Sequence, residues 1–181
     1  MKTNKSRDKW IQAGYFLFAE VGPKNISIKR LAEIADLPRT NFYYHFKDND
    51  ELIDEIIILH MAVAEEYLLV IKDDLKSFLP DLHIISVRYP LGLKFVKQLF
   101  LNREIKKYND LYNKLNKIPI SVIVPKMLSY YKLDVDYKIA QELWITVLDT
   151  WYSRLDVNNM NLEVLCELTD DILKSVFNFS A

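Results

Sequence analysis

A short run of polar and aromatic side chains near the N-terminus has the chemistry of a nucleic-acid contact. Arg39 carries a guanidinium that can bond bidentately to a guanine edge. Asn41 carries an amide that can read adenine or bind a phosphate. Hydroxyl, phenol and imidazole groups complete the run at Thr40, Tyr43, Tyr44 and His45. On an exposed helix these groups suit a DNA groove better than a solvated surface.

Two short helices joined by a tight turn are predicted to position this run. Ser27 is a good N-cap, and apolar residues follow at helical spacing, at Ile28, Leu31, Ala32 and Ala35. Asp36 then interrupts the pattern. We expect it to have a positive φ, because Asp visits left-handed backbone more readily than most residues. Pro38 suits the first turn of a second helix extending to His45. The pattern predicts a helix-turn-helix.

The inward face of the second helix is predicted at Phe42 and Phe46, which lie four residues apart. After Phe46, Asp48 and Glu51 have the spacing of a capping box. They predict the beginning of a long helix, whose wide apolar face runs to about Leu75. Such a helix would connect the N-terminal unit to the rest of the chain.

Residues Arg7 to Leu52 resemble the N-terminal signature of the TetR/AcrR family of transcriptional repressors. The matching residues are Ala13, Phe18, Gly22, Leu31-Ala32, Leu37, Tyr43-Tyr44-His45-Phe46 and Glu51-Leu52. Asp36 stands where the family usually has Gly, and Asn49 where it usually has Lys. The second departure removes one expected phosphate contact.

This resemblance implies an all-α fold, with a three-helix helix-turn-helix head on a larger helical body. We place the head, the DNA-binding domain, at residues 1–47, and the body, which binds an effector and dimerises, at 48–181. The predicted DNA-contacting residues are Ser27, Lys29, Arg39, Thr40, Asn41, Tyr43, Tyr44, His45 and Lys47. Of these, Ser27, Lys29, Tyr43, His45 and Lys47 match positions that mostly anchor the DNA backbone in the family.

The distribution of charge agrees with a phosphate-binding head. The 181-residue chain has a net charge of −1. Residues 1–47 carry nine Lys or Arg against four Asp or Glu, whereas the remainder carries fifteen against twenty-one. A basic unit on an acidic body is typical of a nucleic-acid-binding head. Chance surface asymmetry is the alternative explanation.

The rest of the chain is predicted to be helical. The first helix spans residues 6–21 and stops at Gly22-Pro23. Prolines divide the middle region into helices near 81–88, 91–101, 103–117 and 121–131. Asp134 is the expected cap of a helix that ends near Leu155. Asn161 is the expected cap of a last helix that extends to Phe179.

Two functions are predicted for the body. Its aromatic residues either fill a core or line an effector cavity, and the candidates for the cavity are Tyr67, Phe95, Phe100, Tyr112 and Trp144. Asp149 either meets a cationic ligand or is a surface acid. In the family, the last two helices form a four-helix dimer bundle with a second copy. The candidate interface residues are Trp151, Leu165, Thr169, Ile172 and Val176.

No pattern of catalytic or metal-binding residues stands out. The three histidines and the single cysteine lack ligand spacing, and no Gly-rich phosphate loop or nucleophile motif occurs. We therefore expect no metal, no cofactor and no enzymatic activity. His60 and His83 are expected to be ordinary, partly buried helix residues. One cysteine, no apolar signal sequence and no membrane span predict a cytoplasmic protein.

The sequence predicts a homodimeric, TetR-like DNA-binding regulator that a small-molecule effector releases from a palindromic operator. It does not identify the effector, the operator or the regulated genes, nor does it distinguish a repressor from an activator. The alternative is a co-activator or adaptor of the same fold that acts through protein partners instead of DNA.

Overall fold

A computed structural model describes residues 5–177, and this part of the chain contains ten α-helices and no strand. The predicted all-α fold is therefore confirmed. The helices are α1 Lys5–Val21, α2 Ile28–Ala35, α3 Arg39–Phe42, α4 Asn49–Asp74, α5 Asp81–Ser86, α6 Pro90–Leu101, α7 Lys106–Lys117, α8 Ile120–Tyr131, α9 Tyr137–Arg154 and α10 Leu162–Phe177. The 3-10 turn Pro23–Asn25 links α1 to α2.

The predicted stop and start signals of the N-terminal helices are present. Gly22 follows the end of α1 with a φ of 78°. The Ser27 hydroxyl caps α2 by accepting from the Arg30 N–H. Asp48 caps α4 by accepting from the Glu51 N–H at 3.0 Å, and the Glu51 carboxylate accepts from the Lys47 N–H at 2.7 Å. These bonds satisfy N–H groups that helix geometry would otherwise leave unpaired.

The turn between α2 and α3 depends on Asp36, which has φ 53° and ψ 54°. This is the left-handed conformation that the sequence predicted. Its backbone N–H still donates to the Ala32 carbonyl, and the Leu37 N–H donates to the same oxygen at 3.1 Å. Left-handed backbone at this position therefore closes α2 and reverses the chain toward α3.

Several boundaries differ from the prediction. The second helix of the motif ends at Phe42, and Tyr43 to His45 continue as a hydrogen-bonded turn. Helix α9 is capped by Asp136, not Asp134, because the Asp136 carboxylate accepts from the N–H groups of Lys138 and Ile139. Asn161 does cap α10, whose predicted end at Phe179 lies outside the described residues.

Helix α1 lies at the junction of head and body, because it packs against α2, α4 and α6. At the centre of this junction the Phe95 ring of α6 stacks on Phe18 of α1, with 4.2 Å between ring centroids. The same ring stacks on His60 of α4 at 4.0 Å. One continuous hydrophobic core therefore extends from the head into the body.

The terminal helices α9 and α10 pack against each other, but most of the predicted dimer-interface residues face inward. Trp151, Leu165, Thr169 and Ile172 are buried within the protomer. Val176 alone of the five is exposed, at 42%. An apolar stripe at helical spacing does not show whether the same chain or a second copy covers it. The placement of Trp151, Leu165, Thr169 and Ile172 at a dimer interface is therefore corrected.

Among residues 5–177, no helix has the length and apolar character that a membrane span requires.

Substitution at Asp36 tests the role of the left-handed turn. We expect Asp36→Gly to be neutral or mildly stabilising, because Gly has no steric penalty at positive φ. Asp36→Val should lower the free energy of unfolding by roughly 1–3 kcal/mol, since a β-branched residue is strained there. Urea unfolding measures both changes. Glu33→Val, on the exposed face of α2, is the control and should cost well under 1 kcal/mol; an equal cost at both sites would contradict the argument.

Candidate nucleic-acid interface and body cavity

Helix α3 and the turn after it present an exposed polar surface. Arg39 and Thr40 are exposed, and so are the rings of Tyr43 (64%) and Tyr44 (83%). Their neighbour Phe42 is fully buried against Trp10 and Phe46. Phe42 therefore anchors α3 and its turn to the core, while Arg39, Thr40, Tyr43 and Tyr44 project into solvent.

Several cations of the head are free to bind a partner. Lys29 at the beginning of α2 and Lys47 just before α4 are exposed, as is Ser27. Within residues 5–177, the side chains of Arg39, Lys29 and Lys47 form no hydrogen bond or ion pair. Guanidinium and ammonium groups without internal partners can bond to phosphate or base edges at no cost in internal contacts.

Asn41 and His45 have internal partners. The Asn41 side-chain carbonyl accepts from the Ser6 hydroxyl at 2.6 Å and from the Trp10 indole N–H at 3.0 Å. His45 Nε2 lies 3.1 Å from the Ser6 oxygen. Because the Ser6 proton bonds to Asn41, we assign His45 Nε2 as the donor to Ser6. These bonds tie α3 to the beginning of α1 and leave only the NH₂ group of Asn41 free for an outside partner.

Asn49, which stands where the family usually has Lys, also has an internal partner. Its side-chain NH₂ donates to the Ile26 carbonyl at 3.1 Å and so ties the beginning of α4 to the segment before α2. Arg7 makes a second connection to α4, pairing with Glu55 at 2.9 Å while its guanidinium lies over the Phe46 ring. The head is therefore attached to α4 through polar contacts on two sides.

The body contains a partly open cavity of about 130 Å³, with walls from α4 to α10. Its lining is mostly apolar. Of the predicted pocket residues, Tyr67 and Trp144 line it. The Tyr67 hydroxyl bonds to Ser86 Oγ at 2.9 Å, and Ser86 donates to the Leu82 carbonyl. Burial raises the pKa of Tyr67 to about 12, so this hydroxyl stays protonated.

The other three predicted pocket residues lie outside this lining. Phe95 belongs to the head–body junction, in contact with Phe18 and Tyr15 of α1. Phe100 and Tyr112 pack against each other with 5.7 Å between ring centroids. The Tyr112 hydroxyl donates to Asp149, which also pairs with Arg103 at 3.0 Å. Asp149 thus has a cationic partner within the protein.

Two histidines that no sequence pattern assigned to a cavity also line it. His60 and His83 are almost fully buried, not partly buried as expected, and both face the cavity. Desolvation lowers the pKa of His60 to about 3 and that of His83 to about 4, so both rings are neutral at pH 7. No spacing rule identifies them, because their partners come from distant parts of the chain.

His60 connects the cavity to the head. Its Nδ1 lies 3.1 Å from the hydroxyl of Tyr15, which belongs to α1, while its other ring nitrogen, Nε2, has no hydrogen-bond partner in residues 5–177. Burial raises the pKa of Tyr15 to about 12, so its hydroxyl keeps a proton to donate. One buried ring therefore borders the cavity on one side and contacts the first head helix on the other.

The fold and the exposed motif together define a class: an N-terminal helix-turn-helix on a helical body that contains a cavity. Residues 11–56 match the family model described as bacterial regulatory proteins, tetR family. These residues therefore form a TetR-family helix-turn-helix, which confirms the resemblance seen in the sequence. No curated protein matches the chain significantly in sequence.

Solved structures extend the similarity to the whole chain. A transcriptional regulator from Aquifex aeolicus VF5 is 20% identical, with a TM-score of 0.60 over 94% of this chain and 99% of the other. A TetR/AcrR-family regulator from Thermobifida fusca is 20% identical, with a TM-score of 0.56 over 94% and 97%. The fatty acid degradation regulator FadR from Bacillus halodurans is 14% identical, with a TM-score of 0.59 over 96% and 97%. The chain has the fold of TetR-family transcriptional regulators.

Replacing Asn41 tests whether this residue mainly stabilises the head. Asn41→Ala leaves the buried Trp10 indole N–H without an acceptor, which should lower the free energy of unfolding by about 1–3 kcal/mol. Tyr44→Ala, at the exposed neighbouring site, should change it by less than about 0.5 kcal/mol. Urea denaturation measures the free energy of unfolding of both variants. Full stability of Asn41→Ala would mean that the bonds to Ser6 and Trp10 contribute nothing.

Proposed function

We propose that this chain is a homodimeric, TetR-like DNA-binding transcriptional regulator of the cytoplasm, a repressor that a small-molecule effector releases from a palindromic operator. In this proposal residues 1–47 form the DNA-binding domain, and residues 48–181 form the effector-binding and dimerisation domain. The observation that carries the proposal is the exposed surface of α3 and its turn, where the Arg39 side chain has no partner among residues 5–177 and Tyr43 and Tyr44 project outward.

The two kinds of contact predicted for the head can be separated by mutation. Arg39→Ala should weaken binding selectively at the base pair it reads, by about 1–3 kcal/mol. Lys29→Ala should weaken binding to all sequences about equally and reduce the salt slope by about one unit. Fluorescence anisotropy on a set of operator variants at several salt concentrations measures both. Identical profiles for the two variants would refute this division of roles.

An adaptor function through protein partners is the alternative. It is favoured by Asn49, whose internal bond to Ile26 stands in place of an expected phosphate contact, and by Pro38 at the position that caps α3, where it makes no side-chain cap hydrogen bond. Binding of the wild-type chain to its own upstream DNA, measured against salt, distinguishes the two functions. Phosphate-driven binding must weaken steeply as salt rises, whereas an adaptor would show no specific DNA complex at any salt concentration.

Dimerisation is part of the proposal because one head contacts few base pairs. Two heads about one helical turn apart, roughly 34 Å, would read a palindromic site. The exposed apolar residues of the two terminal helices support an interface there; they include Ile139 on α9, and Leu162 and Val176 on α10. Buried neighbours such as Ile172 hold the two helices together within one protomer.

A pair of substitutions on α10 separates folding from dimerisation. Ile172→Glu places a charge inside the protomer and should cost several kcal/mol of folding stability. Val176→Glu, one turn further along the helix and exposed, should leave the protomer folded but shift a dimer toward monomer. Analytical ultracentrifugation and thermal unfolding measure the two effects. A wild type that is monomeric at micromolar concentration would contradict the homodimer, and with it operator binding by two heads.

Effector control is supported by the position of His60. The ring borders the cavity, bonds to Tyr15 of α1 and belongs to α4, the helix that follows the motif. A ligand that displaces this ring acts on the first head helix and on the connecting helix together. Such a ligand changes DNA affinity only through a difference in its binding free energy between the two head orientations.

A further inference from the structure

Buried polar atoms without partners concentrate around the cavity. Within residues 5–177, five buried side-chain nitrogen or oxygen atoms have no hydrogen-bond partner. Four of them belong to residues that line the cavity, namely His60 Nε2, His83 Nδ1, Asn116 Nδ2 and Trp144 Nε1. A folded protein leaves few such atoms, because each one has lost its hydrogen bonds to water without gaining a partner. Their concentration at one cavity points to a ligand that satisfies them.

The hydrogen-bond network assigns the proton on each histidine. Tyr15 is buried, and His60 Nδ1 is the acceptor available to its hydroxyl, so Nε2 of the neutral His60 ring carries the proton. Thr169 Oγ1 accepts from the Trp151 indole at 2.9 Å and lies 2.7 Å from His83 Nε2. We assign the Thr169 proton to His83 Nε2, which leaves Nδ1 of His83 protonated.

The unpartnered atoms are therefore donors. Trp144 Nε1 is a donor by its chemistry, and so is the NH₂ group of Asn116. The Asn116 amide also lies close enough to the Tyr112 hydroxyl to oppose the rise in the pKa of that tyrosine. It therefore serves as the auxiliary donor, with one of its two N–H groups left for a ligand. No acceptor of the lining lacks a partner in the same way.

Charge and size restrict the ligand further. None of the cavity-lining residues is Lys, Arg, Asp or Glu, so an ionised ligand would lose its hydration without gaining a counter-charge. A purely apolar ligand would leave the donors unpaired. The volume of about 130 Å³ is close to the roughly 150 Å³ of a cavity that binds a single benzene molecule.

We propose that the cavity binds an uncharged, mainly apolar molecule about the size of one ring, whose hydrogen-bond acceptors pair with the N–H groups of His60, His83 and Trp144. A carbonyl or ether oxygen satisfies this requirement. The inference rests on the proposed function in treating this molecule as the effector, but the binding itself needs no DNA.

Three probes of similar size test the ligand class on the wild-type chain. Cyclohexanone carries a neutral acceptor, methylenecyclohexane has the same shape without the acceptor, and cyclohexanecarboxylate carries a charge. Titration followed by ¹⁵N NMR of the indole groups reports on each. We expect cyclohexanone to bind at least about tenfold more tightly than either of the others. The Trp144 indole proton should shift downfield, while that of Trp10, whose acceptor is Asn41, should not move.

Trp144→Phe removes one donor while keeping a ring, and should reduce the preference for cyclohexanone over methylenecyclohexane. His83→Phe, which removes another of the three named donors while keeping a ring, is the second variant if the first fails to fold, and Tyr137→Phe, exposed on α9, is the control. Equal or tighter binding of methylenecyclohexane would overturn the role of the donors. Tighter binding of the carboxylate would make this an anion site, and no binding of any probe would overturn the ligand site.

The proposed function fails separately from this inference. If the wild-type chain binds no operator DNA while cyclohexanone still shifts the Trp144 indole proton, the proposed regulatory function is refuted and the ligand class stands. Salt-dependent operator binding together with no response to any probe would refute the ligand class alone.

Discussion

The stack of aromatic rings where α1 meets α4 and α6 is the contact on which the rest of the structure depends. Phe18 and Tyr15 of α1, Phe95 of α6 and His60 of α4 lie in face-to-face contact, with ring centroids 4.0–5.3 Å apart along the stack. Large rings bury much apolar surface and add a specific geometric preference. Because α1 also carries α2 and α3 on its other side, this stack determines how the helix-turn-helix sits on the body.

Polar contacts around the stack restrict relative movement of head and body. Lys94 pairs with Glu20 at 2.6 Å, and Lys24 with Glu104 at 2.6 Å, both between the head region and α6 or its following loop. The first pair is partly buried and the second is exposed. Ion pairs at a protein surface contribute little stability, typically about 0–1 kcal/mol. They do, however, define one orientation.

The cavity lies beside this stack, and prolines begin or interrupt some of the helices that line it. Pro90, Pro119 and Pro125 begin or interrupt helices in the middle region, and the lining draws on seven successive helices. Straight, close-packed helices would fill such a space with side chains. Here the polar nitrogens of His60, His83, Asn116 and Trp144 that have no partner among residues 5–177 belong to residues that line it instead.

The sequence by itself determined the helical class, the caps at Ser27 and Asp48, the left-handed Asp36 and the buried Phe42 and Phe46. These features depend on neighbours within a few residues, where spacing and backbone preference act directly. Only the tertiary structure decided that Ile172 and Leu165 face inward, that Asn41 bonds to Trp10, and that His60 and His83 border one cavity. Each depends on residues far apart in the chain, and periodicity shows that a face is buried without showing what buries it.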